Sequence, residues 1–225
     1  ESEIIFSAHG VSHEIREIAK KKKLICHDAT CPLVRKLQKK TDNYVKNNYN
    51  ILIIGNPNHP EIKGIFGHTK GKGIIIRHLN DINKIPFHKN SKIAVITQTT
   101  LNIDDTFFLI QKLRELYPKL TTPSNGDICY ATRNRQNAIQ KIANLSDAVF
   151  IIGSSNSSNS RELKRTSSKI CKNSYLIENK DDVTKTMLQN ANIIGVSAGA
   201  SAPEYLVSEL VEKLKSYGWK TIEII

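Results

Sequence analysis

This chain of 225 residues predicts an α/β fold of three quasi-repeated domains with parallel sheets, the first of them truncated. Three observations carry that expectation. Short continuous apolar runs alternate with amphipathic helix patterns from end to end, as in parallel sheets covered on both faces. Two cysteines recur 98 residues apart, Cys31 in HDATCP and Cys129 in GDICYAT, each leading into a basic helix. Two apolar runs ending in glycine recur at the same interval of 98, NILIIG at Gly55 and AVFIIG at Gly153.

The expected strands are EIIFSA, KLICHDA, NILIIG, GIIIRHL, KIAVITQ, DAVFIIG, SYLIEN and NIIGVSA. The helix patterns between them are SHEIREIAKKK, PLVRKLQKKTDNYVKN, DDTFFLIQKLRELY, TRNRQNAIQKIANL, SSNSRELKRTSSKI and PEYLVSELVEKLKSY. An apolar strand running into small polar residues and a helix occurs three times, at Ser7, Thr97 and Ser197. In the second and third copies the cysteine precedes that loop by 66 and 68 residues, so a first copy sets its cysteine before residue 1. The expected domains are therefore 1–31, a remnant of the first; 32–125, the second; and 126–225, the third, whose last residues are candidates to return to the first. The Pro-Ser-Asn-Gly turn at 123–126 separates the last two. Pseudo-threefold packing brings their strand-end loops to one central site, where ligands gather in such folds.

No stretch of eighteen apolar residues is present, so no membrane partner is expected. Four cysteines in a chain of this length are read as core residues or metal ligands rather than a secreted disulfide framework. The formal charge of +12 is spread along helices with few aromatics between. It is read as a solvated face, with no nucleic-acid partner.

Cys31 and Cys129 precede helices, where backbone amides favour thiolate. Two such thiolates and an inferred third suit three corners of an iron-sulfur cluster that leaves one iron open. Zinc held by Cys31, Cys129 and His59 is the rival. Cys26 and Cys171 are read as core. GSSNSSNS at 153–160 follows a strand and opens a helix, which makes it an anion cradle, with the GASAP loop at 199–203 in the equivalent place. His59 and Glu61 occupy in the second repeat the position of Ser157 and Asn159 in the third. His9 and Thr99 sit in the first two Ser/Thr loops. His13, His27, His68, His78 and His88 show no such coincidence and are read as structural or solvated.

The ordered set SAHGVS, DATCPLV, HPEIKG, QTTLNIDDT, DICYATRNRQ, GSSNSSNSREL and GVSAGASAPE resembles the 4-hydroxy-3-methylbut-2-enyl diphosphate reductase family over nearly the whole chain. The resemblance implies three domains around a 4Fe-4S cluster with Cys31 and Cys129 as ligands. It implies Glu61 as the proton source, Thr99 at the substrate hydroxyl, and His9, His59, Ser157, Ser158, Asn159 and Ser201 around the diphosphate. The implied reaction is reductive removal of an allylic hydroxyl, with electrons from a ferredoxin-type donor or flavodoxin, in a plastid-like organelle or a bacterial cytoplasm. A different class remains beside it: a non-catalytic phosphate-binding or redox-sensing module that has lost its metal.

Overall fold

The computed structural model describes residues 2–122 and 127–221. The chain divides into two compact units, one ending at Cys129 and one beginning at Tyr130. The first unit runs β1 (Glu3–Phe6), α1 (His13–Lys21), β2 (Ile25–Asp28), α2 (Pro32–Lys46), β3 (Asn50–Ile54), α3 (Pro60–Gly67), β4 (Gly73–Ile76), α4 (Leu79–Ile82), β5 (Ile93–Thr97), α5 (Ile103–Leu116) and β6 (Leu120–Thr121). The second runs α6 (Tyr130–Leu145), β7 (Ala148–Ile152), α7 (Ser158–Ser168), β8 (Ser174–Ile177), a 3-10 turn (Lys180–Asp182), α8 (Lys185–Leu188), β9 (Ile194–Ala198) and α9 (Glu204–Ser216).

Every strand pairing among the described residues is parallel. The strands form three sheets, ordered β1-β2, β4-β3-β5-β6 and β8-β7-β9. The last two share a plan: the first strand is central, the second pairs on one side and the third on the other. Asn50 to Ile54 face Ile93 to Thr97 as Ala148 to Ile152 face Ile194 to Ala198, so the 98-residue repeat of the sequence is a repeat of structure. The first 31 residues form a sheet of their own within the same compact unit as the second repeat. The expected turn at 123–126 lies outside the described residues.

The apolar runs are continuous because each central strand feeds two cores. Leu52, Ile54, Ile93 and Val95 pack with Leu109 and Leu113 of α5, while Ile51, Ile53, Ala94 and Ile96 pack with Leu37 of α2 and Ile62 and Ile65 of α3. In the second unit Phe150 and Ile152 meet Leu210 and Leu214 of α9, and Val149 and Ile151 meet Ile139 and Leu163 of α6 and α7. Burying each such side chain stabilises the fold by roughly 1.5–3 kcal/mol.

Two expectations change. Cys171 is buried, but Cys26 is exposed, on a strand whose four residues are all exposed. Among the described residues β2 pairs only with β1, so its apolar run does not mark a strand buried on both faces. The second change is α3, which the sequence hides. Gly64 and Gly67 each weaken a helix by about 1 kcal/mol relative to alanine. They are needed because a Cβ at Gly64 would press the Gly10 carbonyl and one at Gly67 would strike Ser12. Tertiary packing outweighs propensity, and Pro60 in the first turn assists.

Candidate active site

In the four-stranded sheet the chain leaves β3 for β4 on one side and returns to β5 on the other. The loops after β3 and β5 therefore part at their carboxyl ends, where open α/β sheets bind ligands. Gln98 ties the two loops together. Its Oε1 accepts from the Asn56 amide at 3.0 Å and its Nε2 donates to Thr100 Oγ1 at 2.9 Å.

Glu61, in the first turn of α3, spans the same gap. The Thr99 amide donates to its Oε1 and the Thr99 hydroxyl to its Oε2, both at 2.7 Å. Glu61 is only 2% exposed. Burial pushes its pKa above the ordinary carboxylate value, against the opposing pull of the two Thr99 hydrogen bonds. His59, the N-cap of α3, accepts the Glu61 amide on Nδ1 at 3.3 Å, so a neutral ring carries its proton on Nε2. Its ring stands edge-on to His9, with centroids 5.2 Å apart at 87°.

Both cysteines are anchored to this set through their backbones. The Cys31 amide donates to Ala8 O, beside His9, and the Cys129 amide to Thr99 O, each at 3.0 Å. Cys31, His9, His59, Glu61, Thr99 and Cys129 thus form one linked series within the first unit. Cys31 is the N-cap of α2 without a side-chain cap hydrogen bond, and Cys129 directly precedes α6. Both thiols are half-buried and unbridged. Free sulfurs at helix starts are soft donors suited to an iron-sulfur group. The zinc alternative fares worse. Among the described residues Cys31, Cys129 and His59 do not form a compact group of donor atoms, as one ion requires. Ligands on separate irons of a cluster need no such closeness.

The second unit holds the other predicted residues. Ser157 caps α7, its Oγ accepting from the Ser160 amide at 3.3 Å. Ser157 and Ser158 are half-buried, Asn159 is buried and Ser201 is exposed in the turn after β9. Neither side-chain atom of Asn159 has a hydrogen-bond partner among the described residues, and the same holds for Ser160 Oγ. Buried polar atoms rarely stay unpaired, so the orphaned donors here, the Asn159 amide NH2 and the Ser160 hydroxyl, fit an anion site at a helix start. Sequence reading included Ser160 in the 153–160 cradle but gave it no role of its own. Its hydroxyl sits where a Cβ on either Gly153 or Gly199 would collide with it, which explains glycine at both strand ends. The pair of glycines at equivalent loop positions was the available signal. Gln98 was missed, because it reads as the end of a strand.

The LytB protein family matches residues 1–215. Among similar proteins, the 4-hydroxy-3-methylbut-2-enyl diphosphate reductase of Wolbachia pipientis subsp. Culex pipiens (strain wPip) is 45% identical over 212 residues, covering 94% of this chain and 69% of that protein. The enzyme of the same name from Ehrlichia ruminantium (strain Gardel) is 43% identical, covering 96% and 66%. The solved E-1-hydroxy-2-methyl-but-2-enyl-4-diphosphate reductase from Plasmodium falciparum superposes with a TM-score of 0.91 at 40% identity, covering 95% of this chain and 67% of that one. The chain thus spans about two thirds of the length of these relatives, and its α/β fold with all-parallel sheets agrees with the solved neighbour. With a family match over nearly all its residues and relatives above 40% identity, the chain belongs to the LytB family.

Proposed function

We propose that this chain carries the chemistry of a 4-hydroxy-3-methylbut-2-enyl diphosphate reductase. The reaction takes two electrons and two protons. The allylic C–O bond breaks, the oxygen leaves as water, and a C–H bond forms to give isopentenyl or dimethylallyl diphosphate. The family match and the named relatives support the reading. The observation that carries it in this chain is the buried Glu61 carboxyl with both oxygens held by Thr99.

Glu61 is the proton source. The Thr99 amide can only donate, so Oε1 is the acceptor oxygen and the acidic proton of neutral Glu61 resides on Oε2. There the Thr99 hydroxyl accepts it and presents its own proton to the substrate hydroxyl. Burial keeps Glu61 neutral to higher pH than an ordinary carboxylate, so a proton is in place when the leaving group departs. The diphosphate is assigned to His9, His59, Ser157, Ser158, Asn159 and Ser201, with the orphaned Asn159 amide supplying a donor. Cys31 and Cys129 would hold the iron-sulfur cluster, proposed as 4Fe-4S, which supplies the electrons and a Lewis-acidic iron when bound.

The formal charge of +12 supports an acidic ferredoxin-type donor or flavodoxin, with association slowing as salt is added. The curated relatives named above are bacterial, which favours a bacterial-type cytoplasm. The plastid-like placement finds no support in them. A metal-free phosphate-binding or redox-sensing module needs no buried acid, and the Glu61–Thr99 pair speaks against it.

The test is iron and acid-labile sulfide per chain after anaerobic reconstitution of the full-length protein, with single-turnover reduction of the diphosphate. About four of each with turnover is expected. No iron and retained diphosphate binding would leave the binding module as the account.

A further inference from the structure

We propose that His13, Asp42 and His68 bind a divalent transition-metal ion, with zinc the reference case, at a site separate from Cys31 and Cys129. The three come from different elements: His13 opens α1, Asp42 lies in α2 and His68 is the C-cap of α3. Asp42 Oδ1 is 2.8 Å from His13 Nε2, and His68 Nδ1 is 3.1 Å from both Asp42 oxygens. The donor atoms all lie within 4.8 Å of one another. The imidazole rings are 3.9 Å apart between centroids.

His68 is what demands a cation. Its side chain is 5% exposed, and it stands between two acceptors. On one side Nδ1 faces the Asp42 carboxylate; on the other, Nε2 faces the Val11 carbonyl at 3.3 Å. The Gln38 amide also donates to that carbonyl, at 3.3 Å, which marks it as an acceptor. A neutral imidazole has one N–H, so either tautomer leaves a lone pair aimed at an oxygen lone pair. A second proton or a metal ion resolves this.

A metal completes a recognisable arrangement. With Nε2–H directed at Val11, Nδ1 is the ligand atom, and a backbone carbonyl orients the ring as is usual for metal-bound histidine. Two imidazoles and a carboxylate are a three-ligand set for zinc and neighbouring transition metals, leaving further positions to water. His13 is 47% exposed and gives access from solvent. Calcium and magnesium prefer all-oxygen shells. Tetrahedral bonds of about 2.0–2.1 Å keep donors roughly 3.3 Å apart, so the two histidine–Asp42 spacings of 2.8 and 3.1 Å need to open by only a few tenths of an ångström. The ion would pin α1, α2 and the C-terminal end of α3, the helix whose other end carries His59 and Glu61.

The experiment is a zinc titration of the full-length apo protein against a chromogenic chelator, compared with His13→Gln, so that zinc held by thiolates cancels. One more equivalent in the parent protein is expected, with a rise in Tm of roughly 5–10 °C at a hundredfold excess over Kd that the variant lacks. Asp42→Asn should lose the same equivalent. Cobalt(II) at that equivalent should give d–d bands without sulfur charge-transfer absorption. Equal zinc binding by the parent and both variants would overturn the site and leave a doubly protonated His68 to hold the cluster together.

Discussion

Thr99 takes both oxygens of Glu61, its amide at Oε1 and its hydroxyl at Oε2, each at 2.7 Å. The pair joins the loop after β5 to the first turn of α3. One donor cannot reverse and the other can, so the relationship fixes where the acidic proton sits.

Glu61→Gln follows from that geometry. The glutamine Oε1 can accept the Thr99 amide and its Nε2 can donate to the Thr99 hydroxyl, so the fold tolerates the change. The urea midpoint should be unchanged or higher, because a buried ionisable group is removed. Turnover should drop by about 10²–10⁴-fold. Near-normal single-turnover rates would remove Glu61 from its proposed role.

Thr99→Val deletes the donor to Oε2 and keeps the one to Oε1. Stability should fall by about 1–3 kcal/mol. Turnover should drop, because the hydroxyl that hands the proton to the substrate is gone, and in the residual activity the loss of a bond that lowers the Glu61 pKa should move the high-pH limb further upward, since the acid then stays protonated to higher pH. A limb that stays put would mean another group sets it.

Asn159→Ala separates stability from binding. The parent side chain is buried without partners among the described residues, so its removal should cost little or stabilise the fold slightly. Affinity for inorganic diphosphate, measured by calorimetry, should fall by roughly 10–100-fold. Unchanged affinity would take Asn159 out of the anion site.

Gly199→Ala puts a Cβ against the Ser160 hydroxyl. The expected loss is about 1–3 kcal/mol, and Ser160→Ala in the same chain should restore much of it. Denaturant unfolding of the double-mutant cycle measures this; additive effects would show that the two sites are not in contact.

Asp28 has a window in acid. Burial would raise its pKa, but hydrogen bonds from the Thr30 side chain and amide, and from Arg16, outweigh it and hold the carboxyl at about 2 against an ordinary 3.8. Its folded value is depressed, so its stabilisation is present above pH 3.8 and disappears as pH falls through about 2. The stability gap between the parent and Asp28→Asn should be level above that window and close within it. A gap still at its full size at pH 2 would contradict the assignment.

The parallel strands and long helices were legible because burial on both faces writes itself as unbroken apolar runs, such as Ile51–Ile54 and Val149–Ile152, between helical periods. The repeat was legible because Cys31 and Cys129, or Gly55 and Gly153, do the same local job at strand and helix ends. Alpha3 was not legible, since Gly64 and Gly67 answer to Gly10 and Ser12 rather than to helix propensity. Cys26 was misread because an apolar run does not say how many faces of its sheet are covered.

The site divides the same way. Its residue types and their order along the chain were determined by sequence alone: sulfur before helices, small polar residues after strands, a carboxyl beside a histidine. The pairing of Glu61 with Thr99, the orphaned amide of Asn159, the wedging of Ser160 between two glycines and the meeting of His13, Asp42 and His68 were decided only by tertiary structure. Each depends on distances of a few ångströms between residues far apart in the chain, and hydrogen bonding and desolvation act over those distances, leaving no periodicity in the sequence.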